Sequence, residues 1–172
     1  MAHDSLDTPS PWVVRWAPLV TRGPVLDVAS GSGRHAKLFA QRGLEVVAVD
    51  REQQVIPGVK FVQADLEDGS PWPFGDRRFG AVVVTNYLYR KLLPTLAEAL
   101  DDGAVLIYET FMVGNERYGK PSNPNFLLRP GELLEAFGAL TVVAFEQGAT
   151  AKAVIQRICV IRGDIERARI VA

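Results

Sequence analysis

The chain has 172 residues, 48% of them hydrophobic and 23% charged, with a formal net charge of -1. That length suits one well-buried α/β domain over residues 1–172 and is too short for a nucleotide domain plus a separate substrate domain. The near-neutral charge excludes a general attraction to nucleic acid or anionic membrane. No apolar run reaches membrane-spanning length, and Met1 to Asp7 does not read as a signal peptide, so a cytoplasmic monomer or homodimer is expected.

Residues 1–9 are polar and read as a mobile tail. Ser10-Pro11 then supplies a cap followed by proline at a first helical turn, and Trp12, Val13, Trp16, Leu19 and Val20 recur at helical spacing, as in a helix packed on a sheet. Val25 to Ala29 is a short β-branched run ended by Ser30-Gly31-Ser32-Gly33, residues that tolerate a tight turn and a close backbone approach. Arg34 to Gln41 reads as a helix stopped at Arg42-Gly43, and Leu44 to Val49 as a second strand that ends in Asp50.

Strand, glycine loop, helix and strand in this order build a nucleotide-binding crossover. The loop leaves free N–H groups above the sheet, and a carboxylate on the next strand tip suits ribose hydroxyls. Gly31, Gly33 and Ala36 also satisfy the dinucleotide pattern G-x-G-x-x-A. Asp27 separates the two readings, because a carboxylate in the first strand gains nothing beside a pyrophosphate and gains with a cationic ligand. S-adenosylmethionine carries an ammonium and a sulfonium and no phosphate, so it fits better than NAD.

Arg51 to Gly58 has room for only a turn or two, and Asp68 to Asp76 is loop by its glycine and proline content, so the crossover helices on either side of the third strand are shortened or missing. That strand, Phe61 to Leu66, carries Asp65, a carboxylate able to accept from an adenine amino group. Phe79 to Thr85 is a continuous apolar run suited to a central parallel strand that delivers Asn86 to Arg90 to the carboxyl edge, where open α/β sheets bind ligands. Leu92 to Leu100 reads as a helix, Asp101 to Gly103 as a turn, and Ala104 to Tyr108 as a buried strand ending in Glu109-Thr110-Phe111 at that edge. Met112 to Phe126 is a long loop over the edge, Arg129 to Phe137 a helix closed by Gly138, and Leu140 to Phe145 with Ala153 to Ile161 an antiparallel hairpin around Gly148. The single Cys159 lies in an apolar strand and reads as packing.

The motif Asp27-Val-Ala-Ser-Gly31-Ser-Gly33 resembles that of the class I S-adenosylmethionine-dependent methyltransferases, and the stretch from Leu128 to Leu134 looks most like the small tellurite-resistance-type members. The resemblance implies a single-domain Rossmann-like α/β fold with a seven-stranded, mostly parallel sheet and a C-terminal antiparallel hairpin. It further implies that the loop around Gly31, Ser32 and Gly33 wraps the methionine part of S-adenosylmethionine, that Asp50 holds the ribose, and that Asp65 with Leu66 brackets the adenine; Ala29, Arg51 and Asn86 join this donor set.

Methyl transfer needs alignment more than a dedicated acid or base. Asn86, Tyr87, Glu109 and His35 are nevertheless the candidate catalytic residues, with an ion pair to a loop arginine the plainer role for Glu109 and helix packing the plainer role for His35. Tyr87, Tyr89, Arg90, Thr110, Arg117, Lys120 and Arg129 are the candidate acceptor-binding residues, and their cations suggest a small anionic or thiol-like molecule. No metal site is expected from two histidines and one dispersed cysteine. The competing functions are a non-catalytic S-adenosylmethionine- or nucleotide-binding regulatory protein and a short NAD(P)-linked reductase.

Overall fold

The computed structural model describes residues 7–170. Of the expected N-terminal tail, residues 1–6 lie outside the described residues.

Seven strands form one sheet: β1 Val25–Val28, β2 Val46–Asp50, β3 Lys60–Gln63, β4 Phe79–Thr85, β5 Leu100–Phe111, β6 Thr141–Ala149 and β7 Val154–Ile161, in the order β3-β2-β1-β4-β5-β7-β6. β1 to β5 are parallel, and β7 runs antiparallel between β5 and β6. The order reverses direction at β1 and β4. A switch point of this kind leaves a crevice at the carboxyl ends of the parallel strands.

Side-chain alternation along the buried strands divides the core between the two faces of the sheet. Val25, Ala48, Ala81, Val83 and Ile107 pack with Trp12, Val13 and Trp16 of α1 (Pro11–Trp16) and with Ala36 and Phe39 of α2 (Arg34–Gln41). The intervening residues, among them Leu26, Val28, Val82, Val84 and Leu106, pack with Leu93 and Leu96 of α3 (Leu93–Glu98) and with Leu133 and Phe137 of α4 (Glu132–Phe137). Phe39 is fully buried, which stabilises the α2 contact by about 1.5–3 kcal/mol.

The Ser10 cap forms as expected: its Oγ accepts from the Trp12 N–H at 3.2 Å, with Pro11 in the first turn. The connections β2–β3 and β3–β4 contain no helix among the described residues, so both trimmed crossovers are present. Several boundaries differ from the sequence reading. β3 ends at Gln63, so Asp65 and Leu66 follow the strand, and α4 begins at Glu132, not Arg129. Asp101 to Gly103 does not end an element but forms an irregularity inside β5, where pairing with β4 jumps from Phe79/Leu100 to Ala81/Val105. The helix before it therefore ends at Glu98, not Leu100. Gly148 pairs within β6, and the hairpin turns at Thr150 to Ala153, where the Thr150 Oγ accepts from the N–H groups of Lys152 and Ala153. An Ser/Thr-type turn of this sort closes a hairpin without glycine.

The loop after β5 is ordered by buried polar groups. Asn115, 1% exposed, donates to the Pro121 carbonyl and accepts from the Val154 N–H. Among the described residues, no helix is long and apolar enough to cross a membrane.

Candidate functional site

A cavity of about 420 Å³ opens at the carboxyl edge. Five consecutive strands of the sheet line it through the residues at their ends: Ala29 after β1, Asp50 and Arg51 at β2, Ala64 to Glu67 after β3, Asn86 to Leu88 after β4, and Thr110 and Phe111 at β5. The loop that follows β5 adds Pro121 and Phe126 as a roof.

The glycine loop is built as its sequence requires. Gly33 has φ +86°, and a Cβ there would stand 2.5 Å from Ile56 Cδ1, so only glycine fits under the turn. Gly31 also has a positive φ, +53°, but a Cβ on it would meet nothing within 4 Å, so the upper side of the loop is open. Its N–H donates to Asp50 Oδ2 at 2.9 Å, while Asp50 Oδ1 accepts from the Glu52 N–H at 3.0 Å. The Asp50 carboxylate thereby joins the tips of β1 and β2 at the cavity and keeps lone pairs for further donors.

Among the described residues, two non-glycine residues adopt left-handed backbone, Ala29 at φ 52° and Asn86 at φ 54°. They follow β1 and β4, which pair with each other, and both line the cavity. Such strain persists where the surrounding structure enforces it, and it gathers at functional sites.

Asp27 sits beneath the loop, 2% exposed, where its Oδ2 accepts from the Ala36 N–H at 3.0 Å. Burial pushes its pKa up to about 7 against the lowering effects of that hydrogen bond and of Arg34. Asp27 does not line the cavity, nor do Gly31, Ser32 and Gly33, which form the loop between it and Asp27. Of the remaining donor set, Ala29, Asp50, Arg51, Asp65, Leu66 and Asn86 all line it.

The candidate catalytic and acceptor residues separate. Tyr87 and Thr110 line the cavity, and the Tyr87 hydroxyl donates to Glu67 Oε2 at 3.2 Å. Burial, then the neighbouring carboxylates of Glu67 and Asp65, push the Tyr87 phenol above its ordinary range, so it stays protonated and serves as a donor. Glu109 faces elsewhere: it pairs with Arg157 at 3.1 Å and accepts from Ser10 Oγ at 2.7 Å. The expected ion pair is made by an arginine of β7 rather than of a loop.

His35 is 2% exposed; its Nε2 accepts from the Ser10 N–H at 2.9 Å, and its Nδ1 lies 3.3 Å from Thr85 Oγ1. Burial, with help from Arg34, lowers its pKa to about 3, so the ring is neutral and structural. Cys159, its pKa pushed up to about 12 by burial, is packing.

The cation cluster expected over the edge is not assembled. Arg90 donates from Nε and an Nη to the two carboxylate oxygens of Glu132 at 2.7 and 3.0 Å, and also to the carbonyls of Asn125 and Leu127. Arg129 stands 3.5 Å from the same carboxylate. Burial opposes the charge of Glu132, but the donors from Arg90 and from the Arg129 N–H outweigh it and hold the carboxyl below its ordinary range. Arg90 is thus a clamp on the loop, and Arg129 a second cation beside Glu132. Tyr89, Arg117 and Lys120 also stand off the cavity lining.

Sequence reasoning did not name Ala64, Glu67, Leu88, Phe111, Pro121 or Phe126 as site residues, though it placed Leu88 and Phe111 at this edge. Position could have flagged two of them: Glu67 follows Asp65-Leu66 at the same strand tip, and Phe126 is a large aromatic at the end of a polar loop. Among the described residues, no group of three or more His, Cys, Asp or Glu side chains is placed to hold a metal ion.

Residues 26–102 match the family model described as a methyltransferase domain. No curated protein matches the chain significantly. Similar solved structures include TehB from Haemophilus influenzae, 15% identical with a TM-score of 0.69 over 87% of this chain and 61% of that one. Another is an S-adenosylmethionine-dependent methyltransferase from Mesorhizobium loti, 14% identical with a TM-score of 0.68 over 91% of this chain and 100% of that one. A third, the 1,6-didemethyltoxoflavin-N1-methyltransferase from Burkholderia thailandensis with bound 1,6-didemethyltoxoflavin and S-adenosylhomocysteine, is 19% identical with a TM-score of 0.63 over 88% of this chain and 76% of that one. The chain spans about three fifths of the length of the Haemophilus protein. Glycine loop, strand order and family match agree: residues 26–102 match a methyltransferase domain, and the chain has the fold of these S-adenosylmethionine-dependent methyltransferases.

Proposed function

We propose that the protein transfers a methyl group from S-adenosylmethionine to a small acceptor and releases S-adenosylhomocysteine, without a metal. The observation that carries this reading is the convergence of Ala29, Asp50, Asp65, Asn86 and Thr110 from five strand ends on one cavity of about 420 Å³. That volume lies within the range of small-molecule sites. The residues present suit the donor: the open upper side of Gly31 admits a close approach, and Asp50, already fixed by two backbone N–H groups, still has acceptor capacity for ribose hydroxyls. Asp65 and Leu66 would bracket the adenine, and Asp27 under the loop would favour a cationic methionine end.

In the transfer the acceptor's lone pair forms the new bond to the methyl carbon as the sulfur–carbon bond breaks, its electron pair returning to sulfur, and the acceptor's proton leaves to water. What this chain contributes is alignment and exclusion of solvent. Tyr87 is held protonated, and Glu109 and His35 are engaged elsewhere, so none of the three supplies a base. The anionic acceptor suggested by the loop cations loses its support with Arg90 and Arg129 committed to Glu132. An uncharged nucleophile, a neutral thiol included, remains compatible. A cytoplasmic enzyme acting as a monomer or homodimer completes the proposal.

Two measurements test it. Calorimetry should give binding of S-adenosylhomocysteine and none of NAD; the reverse would reassign the fold to nucleotide chemistry. Single-turnover assays with labelled donor against thiols, amines, oxyanions and carboxylates should yield a methylated product. Tight donor binding without transfer to any acceptor would make this a regulatory binding protein.

A further inference from the structure

The charges around the cavity are divided by strand. All four ionisable carboxylate or guanidinium side chains that line it, Asp50, Arg51, Asp65 and Glu67, come from the β2 and β3 ends. Strands stand about 4.8 Å apart, so β3 and β5, four steps apart in the order, place their tips roughly 19 Å from each other. At the β4 and β5 end the lining is uncharged. Phe111, Pro121 and Phe126 form an apolar wall and roof, with Asn86, Tyr87 and Thr110 as the neutral hydrogen-bonding groups. Phe126 keeps 47% of its surface exposed and belongs to the loop that also exposes Val113 and Tyr118. An aromatic ring left half in water over a cavity has apolar area to bury when a flat partner enters.

We propose that the acceptor is an uncharged molecule with a flat aromatic face that packs against Phe111 and beneath Phe126, and that anionic acceptors are disfavoured. This rests on the donor occupying the β2–β3 end, which takes Asp50 and Asp65 out of reach of the acceptor. An anion in the other half would find no cation at the β4 and β5 ends to replace its hydration, and the Tyr87 hydroxyl there already donates to the Glu67 carboxylate. A neutral ring loses little hydration there, and its nucleophilic atom can be oriented by Asn86 and Thr110. The clamp of Arg90 on the Asn125 and Leu127 carbonyls holds Phe126 in its place over the cavity.

The test uses the full chain saturated with S-adenosylhomocysteine and two probes that differ by one charge, indole and indole-3-carboxylate, followed by saturation-transfer NMR and calorimetry. Indole should bind the loaded protein about tenfold more tightly than its carboxylate. Phe126→Ala, at an exposed position where folding is not at stake, should weaken indole by about fivefold and leave S-adenosylhomocysteine affinity unchanged. Failure of indole to bind, equal or tighter binding of the carboxylate, or indifference of indole to Phe126→Ala would overturn the acceptor proposal while the donor reading stands. Absence of S-adenosylhomocysteine binding in the first step would overturn the donor reading, and this proposal with it.

Discussion

The carboxylate of Asp50 accepts the backbone N–H of Gly31 at 2.9 Å and so ties the glycine loop after β1 to the tip of β2. One acidic side chain both shapes the loop and faces the cavity. Replacing it should therefore damage ligand binding more than one lost contact suggests. Asp50→Ala is expected to weaken S-adenosylhomocysteine by about 1.5–3 kcal/mol for each charge-assisted bond removed, at least roughly tenfold in Kd by calorimetry. Unchanged affinity would take Asp50 out of the site.

Asn86 holds φ 54°, a conformation that asparagine adopts at lower cost than alanine. Asn86→Ala should cost about 1 kcal/mol of stability, whereas Asn86→Gly should be near neutral or slightly stabilising, since glycine adopts positive φ without a Cβ clash. Both should lower turnover by removing the amide from the cavity. Thermal melts compared with initial rates separate the two effects, and full activity in Asn86→Gly would leave the amide without a role.

Arg90 spans Glu132 and two carbonyls of the loop. Arg90→Ala removes two charged donors from a carboxylate that is 4% exposed and should destabilise the fold by roughly 2–3 kcal/mol in urea titration. Arg90→Lys keeps the charge but not the two-pronged geometry and should recover less than half of the loss. A parent-like midpoint for Arg90→Ala would show that the clamp contributes nothing.

Asp27 and His35 give opposite pH dependences. Asp27 titrates at about 7 in the folded chain against an ordinary 3.8, so as pH rises between these values the unfolded chain releases a proton the folded chain keeps, and stability falls. His35 titrates at about 3 against an ordinary 6.5, so over that interval only the unfolded chain holds the proton, and stability rises with pH. Between about pH 4.5 and 6 the two slopes offset, and the parent should be nearly flat. Asp27→Asn keeps an oxygen for the Ala36 N–H and removes the falling slope. That variant should gain about 1.4 kcal/mol per pH unit across this window in urea titrations. A flat variant would contradict a neutral buried His35.

The sequence by itself determined one half of the cavity lining and most of the sheet. Strand, glycine turn, helix and strand are local patterns, set by β-branched runs, by backbone that glycine tolerates at Gly33, and by an acid at a strand end, so Asp50 and Asp65 could be read from position, while Ala29, Leu66 and Asn86 came with the family resemblance. The Ser10 cap and the trimmed crossovers were legible for the same reason. Tertiary structure decided where the long-range partners fall. That Arg90 and Arg129 meet Glu132, that Glu109 meets Arg157 and Ser10, and that His35 is closed over by Ser10 depend on how separate segments pack at the carboxyl edge. A charged side chain in a sequence carries no record of whether another segment will neutralise it, and burial makes that pairing obligatory once the chain has folded. The loop that read as a row of cations therefore turns Phe126 and Pro121 to the cavity instead.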